Sequence, residues 1–264
     1  MYVVATAGHV DHGKSTLVRA LTEMDPDRWE EEKRRGLTID LGFVWTTLPS
    51  GADVAFVDVP GHEKFLGNML AGVGPAPVVL FVVAADEGWQ AQSTDHRDAL
   101  RALGVEHGII ALTRSDRATV ERTAEIRAQL AGTPLADAPI IPVAAPTGDG
   151  LEQLRQALDD LLAGLPAPDT QAPVRMWVDR AFSVKGVGTV VTGTLAAGSL
   201  RVGDSLLAAT ADGEKEVEIR GLHSENTAHK TLGPVTRAAV NLRGVDASDI
   251  HRGDALLTPG AWRM

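Results

Sequence analysis

Up to about residue 164, apolar runs of strand length alternate with stretches whose apolar positions recur at helical spacing. The runs at 2–7, 53–59, 78–84, 107–113 and 140–144 predict strands, and 14–23, 63–72, 93–103, 119–130 and 151–163 predict helices. The stretch 78–85 has no polar residue, which suits a strand covered on both faces and is far too short to cross a bilayer. This order predicts an α/β domain with a doubly wound, mostly parallel sheet, in which ligands bind at the carboxyl ends of the strands. The segment 165–173 then brings in three prolines, as a stiff linker does. Beyond it the helical period is gone. Short β-rich runs at 187–195, 205–208, 217–222 and 237–242, punctuated by glycines, predict a small antiparallel β-barrel. The expected organisation is a first domain over 1–165, a linker over 166–173 and a barrel over 174–264.

Composition narrows this picture. The 264 residues are 44% hydrophobic, as in a soluble globular protein, and contain no cysteine. Residue 1 opens directly into a strand, so a disulfide scaffold and a secretory leader are both disfavoured, and a cytoplasmic, membrane-free monomer is expected. The net charge of −10 divides into −11 over residues 1–171 and +1 over 172–264. No bulk electrostatic pull on nucleic acid follows, so any RNA contact has to be local. Trp29, Trp45, Trp89, Trp177 and Trp262 are scattered, which favours core or interface packing over base stacking.

Candidate chemistry concentrates at Gly8-His9-Val10-Asp11-His12-Gly13-Lys14-Ser15-Thr16, between a predicted strand and a predicted helix. Such a turn aims backbone N–H groups and the positive helix end at phosphates. Gly8 and Gly13 permit close backbone approach, Lys14 neutralises the β and γ phosphates, and the Ser15 hydroxyl ligates Mg²⁺. Asp58-Val59-Pro60-Gly61-His62 follows an interior strand, where Asp58 can hold the metal through water and the Gly61 N–H can sense the γ phosphate. Between these motifs, Thr38 is placed to add a second hydroxyl to the metal. The base-reading element is Thr113-Arg114-Ser115-Asp116 with Ala144-Ala145, where GTPases usually carry Asn-Lys-x-Asp and Ser-Ala. Asp116 can still accept both hydrogen bonds of the guanine N1 and amine edge, and Arg114 can lie along the purine face. Loss of the Asn and Ser side chains removes bonds worth about 1 kcal/mol each, so modest GDP affinity is expected.

GHVDHGKST, RRGLTID and DVPGH together resemble the translational GTPases of the elongation factor Tu class, and the second region, with VDRAFSVKGVGTVVTGTL and VGDSLL, is similar to the domain that follows in that class. The stretch MDPDRWEEEKRRGLTIDLGF is similar to the selenocysteine-specific branch. The resemblance implies a P-loop GTPase domain followed by a barrel, with GTP/GDP and Mg²⁺ as cofactors. It also implies a monovalent cation near Asp11, for which a turn-stabilising aspartate is an equal alternative. His62 matches the residue that positions the attacking water, held back by a gate matched by Val10 and Leu37; Lys14, Thr38 and Gly61 complete the catalytic set. Asp179, Arg180 and Arg237 fall where the aminoacyl group sits, where two guanidinium groups favour an ionised selenol over a serine hydroxyl; solvated arginines at strand ends are the even alternative. Ala91 departs from the family's usual proline. The implied function is delivery of selenocysteinyl-tRNA to the ribosome, with the messenger RNA hairpin bound only through a further C-terminal region, so that a fragment or a short natural form is expected. A GTPase subunit activating a metabolic enzyme of the sulfate adenylyltransferase type is the alternative. A nucleotide-binding module without turnover is a second rival, raised by the altered base-reading motifs.

Overall fold

The computed structural model describes residues 2–27, 32, 34 and 38–262. The Leu37 half of the expected gate, and Trp29, lie outside the described residues. The chain divides into two compact units, Met1–Leu165 and Pro166–Met264.

In the first unit a six-stranded sheet runs in the order β2-β3-β1-β4-β5-β6, formed by β1 (Tyr2–Ala7), β2 (Gly42–Thr47), β3 (Asp53–Asp58), β4 (Val78–Ala84), β5 (His107–Thr113) and β6 (Ile140–Pro142). Every pairing is parallel except β2 with β3. Helices α1 (Lys14–Thr22) and α5 (Leu151–Ala163) share one core with Val4, Phe56, Leu80 and Ile109. The opposite face receives α2 (Leu66–Val73), where a Cβ on Gly72 would strike Val57 and Val59. Strand alternation thus sends Phe56 to one layer and Val57 to the other, and each buried side chain of this size stabilises the fold by about 1.5–3 kcal/mol.

Several elements differ from the sequence expectation. The edge strand β2 was not expected; its polar Thr46-Thr47 end masks it, and a turn closed by the Gly51 N–H to the Leu48 carbonyl joins it to β3. The expected helix 63–72 is a short 3₁₀ turn, Glu63–Phe65, followed by α2, because the His62 side chain caps the turn. Helix 119–130 starts late, as α4 (Thr123–Leu130), since the Glu121 carboxylate accepts the Thr123 N–H and closes the helix start there. The strand expected over 140–144 stops at Pro142, and Ala144 instead bridges to Asp149 to close a loop. Helix α3 spans Ala91–Ala102.

In the second unit β11 (Ser205–Thr210) pairs with both β12 (Gly213–Ser224) and β16 (Ala255–Leu257). The ring β11-β16-β7-β9-β15-β12 therefore closes as an antiparallel barrel, with β7 at Arg175–Trp177, β9 at Gly188–Leu195 and β15 at Thr236–Arg243. β8 (Arg180–Val184) adds to β9, β13 (Thr227–His229) adds to β12, and β10 (Leu200–Arg201) pairs with β14 (Thr231–Leu232) as a separate two-stranded ribbon. Met176, Val191, Leu206, Ile219, Val240 and Leu256 fill the interior. The three-residue strands β7 and β16 escape the sequence pattern because neither is long enough for alternation to register.

Candidate functional site

The turn between β1 and α1 is shaped by backbone that resists side chains. Gly8 has φ +124°, and a Cβ there would strike the Val82 carbonyl; Gly13 has φ +84°, and Asp11 also lies in the left-handed region at 64°. Helix α3 supports this turn: the Gly8 N–H donates to His96 Nδ1 at 3.0 Å and the Val10 N–H to Gln92 Oε1 at 3.0 Å. Burial holds the His96 imidazole near a pKa of about 3, with Lys14 and His9 adding to the effect, so it stays a neutral acceptor.

Lys14 is buried, and its Nζ donates to the Gly8 and His9 carbonyls at 3.0 and 2.8 Å. Burial pulls its pKa down to about 8, opposed by the Asp58 charge. A cation so placed faces a cavity of about 770 Å³, lined among others by Val10, Gly13, Ser15 and Thr16. Its wall fits a polyphosphate: left-handed turn, helix start and buried ammonium coincide. Gly61 also lines it, and a Cβ there would collide with Lys14 Nζ and the Val10 nitrogen.

Beside the lysine, Ser15 Oγ donates to Asp58 Oδ2 at 2.6 Å and lies 2.8 Å from Thr38 Oγ1. Thr6 Oγ1 holds the other carboxylate oxygen at 2.9 Å and accepts the Val59 N–H. Burial raises Asp58 to a pKa of about 6, against the Ser15 hydrogen bond and the Lys14 charge. Two hydroxyls and a carboxylate in contact form an all-oxygen donor set that fits Mg²⁺ rather than a softer metal. Asp27 extends the group, accepting from Thr38 at 3.2 Å.

His62 takes no part in the cavity wall. Its Nδ1 accepts the Lys64 N–H at 3.2 Å, and its ring meets the edge of Phe65 with centroids 6.1 Å apart. On the opposite side of the cavity stand Thr113, Arg114, Asp116 and Ala145, whereas Ala144 is buried and, with Gly8, His9 and His12, does not line it. Thr113 Oγ1 donates to the His12 carbonyl at 2.7 Å, so a threonine links the base-side loop to the phosphate turn. Arg114 does not lie free along the cavity: it pairs with Glu87 at 2.5 Å and Asp86 at 3.3 Å and donates to the Asp11 carbonyl. The His12 ring is fully buried, 4.9 Å from that of His9, and burial drops its pKa to about 4.

In the second unit Asp179 is buried and pairs with Arg237 at 2.5 Å, while its Oδ1 also accepts from Thr192 Oγ1 at 2.6 Å. Arg180 opens β8 opposite Thr192, and Arg252 Nε donates to the Asp179 carbonyl at 2.8 Å. Trp177 and Trp262, expected in a core or an interface, are 46% and 37% exposed and flank the Arg175 guanidinium at 5.8 and 4.6 Å, an arrangement in which a cation compensates aromatic exposure.

Sequence reasoning missed Thr6, Gln92, His96, Asp86, Glu87, Thr192 and Arg252. Only Gln92 and His96 carry a signal, two polar acceptors four apart on one helix face. The others come from strands and loops that meet only in three dimensions.

Residues 1–164 match the elongation factor Tu GTP binding domain family, and residues 188–257 match elongation factor Tu domain 2. A selenocysteine-specific elongation factor of Escherichia coli (strain K12) is 44% identical over 97% of this chain and 42% of its own length. The structure of a bacterial selenocysteine-specific elongation factor, EF-Sec, superposes with a TM-score of 0.90 at 35% identity, covering 99% of this chain and 45% of that one. Elongation factor SelB from Methanococcus maripaludis, in complex with the GTP analogue GppNHp, gives 0.85 at 30% identity over 98% and 55%. The chain spans about two fifths of the length of the curated relatives it matches. Among the described residues, no helix is long and apolar enough to cross a membrane.

Proposed function

Because this chain belongs to the family of the elongation factor Tu GTP binding domain, we propose that it binds and hydrolyses GTP as a switch that delivers selenocysteinyl-tRNA to the ribosome. The contact of Ser15, Thr38 and Asp58 beside the buried Lys14 carries the GTPase part of this reading. Bound magnesium nucleotide supplies the phosphoanhydride and the positive charge that offsets its cleavage. Lys14 binds the β and γ phosphates, and Ser15, Thr38 and Asp58 hold the metal. Asp116 selects guanine by a paired hydrogen bond, with Thr113, Arg114 and Ala145 framing the base. The Gly61 N–H touches the γ phosphate and so reports its loss. His62 orients the attacking water once it leaves the Lys64 N–H, and contact with the ribosome drives that turn. A monovalent cation beside Asp11 belongs to the same reading.

Selectivity for the cargo is assigned to Asp179, Arg180 and Arg237. A selenol is ionised at neutral pH where a serine hydroxyl is not, and one guanidinium contact near 4 Å is worth up to about 4 kcal/mol before desolvation. Asp179 keeps Arg237 in place for this role. The similarity to selenocysteine-specific factors over nearly the whole chain favours delivery over activation of a sulfate adenylyltransferase. Competition among selenocysteinyl-, cysteinyl- and seryl-tRNA for the GTP-loaded protein tests the reading. Preference for selenocysteinyl-tRNA that narrows when Arg180 and Arg237 are both neutralised is expected; equal binding of all three overturns the cargo, and equal affinity for ATP and GTP overturns the switch.

A further inference from the structure

Arg114 stands in a left-handed conformation, φ 53°, just after β5. From there its guanidinium meets the Glu87 carboxylate at 2.5 Å, Asp86 at 3.3 Å and the Asp11 carbonyl of the phosphate turn. The two acids belong to neither nucleotide motif; they sit in the loop between β4 and α3. That loop is fixed independently, because Arg122 donates to the Ala85 and Asp86 carbonyls at 3.2 and 3.3 Å and Glu125 accepts the Trp89 N–H at 2.8 Å. The second oxygen of Glu87 lies 3.8 Å from Nε2 of the buried His12. A single carboxylate thus faces both the loop at the base end of the cavity and the turn at its phosphate end.

We propose that Glu87 is a positioning residue that holds Arg114 against the Asp11 carbonyl, strapping the base-side loop to the phosphate turn and slowing nucleotide release. This rests on the guanine-nucleotide reading above. An arginine side chain left alone samples many rotamers, and ordering it costs entropy; a fixed acid pair removes that cost before the nucleotide arrives. The chain has threonine at position 113, whose one hydroxyl lies 2.7 Å from the His12 carbonyl of the turn and 3.3 Å from that of Val83, so it gives the turn at most one bond. The strap through Arg114 adds the second link to the same turn. Side-chain exposures of 27% for Arg114 and 41% for Glu87 leave the pair open to ions, so the strap is weakened by salt.

Stopped-flow release of a fluorescent GDP from the full chain tests this, at about 0.05 and about 0.5 M salt. Glu87→Gln is expected to speed release by about tenfold, as loss of a charge-assisted bond does, while association changes little. Asp86 remains in that variant, which sets the ceiling on the effect. Release from the unaltered chain accelerates with salt, and release from Glu87→Gln, in which only the Asp86 pair remains, accelerates less. The double variant Glu87→Gln/Arg114→Met releases GDP no faster than Arg114→Met alone, as expected for two members of one link. Unchanged release in Glu87→Gln, a salt response as large in the variant as in the unaltered chain, or additive effects in the double variant each overturn the strap. Should Glu87→Gln fail to fold, the salt response of the unaltered chain against Arg114→Met decides the same point. A chain that binds no guanine nucleotide at all fails the function reading instead.

Discussion

In the first unit a buried cation, Lys14, lines a cavity and a buried carboxylate, Asp58, lies behind the lining hydroxyl of Ser15, and their direct partners are neutral carbonyls and hydroxyls. In the second, the buried carboxylate of Asp179 is bonded directly to the guanidinium of Arg237. The desolvation cost shows in the first unit, where burial pushes the lysine down to about 8 and the carboxylate up to about 6. An ion pair in the second unit offsets much of that cost internally. The difference teaches that, on the proposed function, the two sites would meet a ligand on different terms: the first would gain when a phosphate and a metal complete its charges, whereas the second would have to share or open an existing pair.

The largest expected effect breaks the first site. Lys14→Ala should weaken GTP binding at least about a hundredfold, near 3 kcal/mol, because the phosphates lose their buried counter-charge. Arg237→Met, in the other unit, should leave GTP affinity within about twofold. Titration with a fluorescent GTP checks both, and a comparable loss in the two variants would erase the contrast. Asp179→Asn comes next. It strips Arg237 of its charge partner while Thr192 keeps an acceptor, and about 2 kcal/mol of barrel stability should be lost. Denaturant unfolding followed by hydrogen exchange in barrel peptides measures this, and an unchanged midpoint would mean that the pair contributes nothing to the fold.

How much of this was legible in the sequence follows the same division. The phosphate turn is contiguous, so Gly8, Gly13, Lys14 and Ser15 announce themselves by spacing, and Asp58 by its place at a strand end. The hydrogen bonds that hold the turn come from Gln92 and His96, some eighty residues away, and no local pattern encodes that pairing. The sequence places Arg114 beside the purine from its motif alone; the acids that hold its guanidinium, Asp86 and Glu87, come from the loop after β4 and are not signalled by that motif. The alternating α/β order fixed the parallel sheet through its long apolar runs. The edge strand β2 ends in polar Thr46-Thr47 and the three-residue barrel strands carry too few residues for a period, so that only pairing within the sheets defines them.

The smallest expected effect is in acid, and it separates the units by sign and slope. His12 and His96 have folded pKa values lowered to about 4 and about 3 from 6.5, so between those values and 6.5 the unfolded chain binds more protons at each. Their contribution to stability is fully present above pH 6.5 and is lost as the pH falls below it. Asp58 acts oppositely: raised to about 6, it takes up a proton in the folded state first and adds stability between about pH 6 and 4 in the nucleotide-free protein. For these three groups two protons lost against one gained leave a net of one, or about 1.4 kcal/mol of first-unit stability per pH unit across that window, and His9, which burial also lowers, adds in the same direction. The histidines of the barrel, His223, His229 and His251, are all exposed, so the barrel should respond less. Hydrogen exchange of the nucleotide-free protein at a series of pH values, read separately in peptides of each unit, gives both slopes. His96→Gln keeps an acceptor for the Gly8 N–H and deletes one of these protons, which should make the first-unit slope much shallower. If the full slope survives that substitution, His96 is not what makes the phosphate turn sensitive to acid.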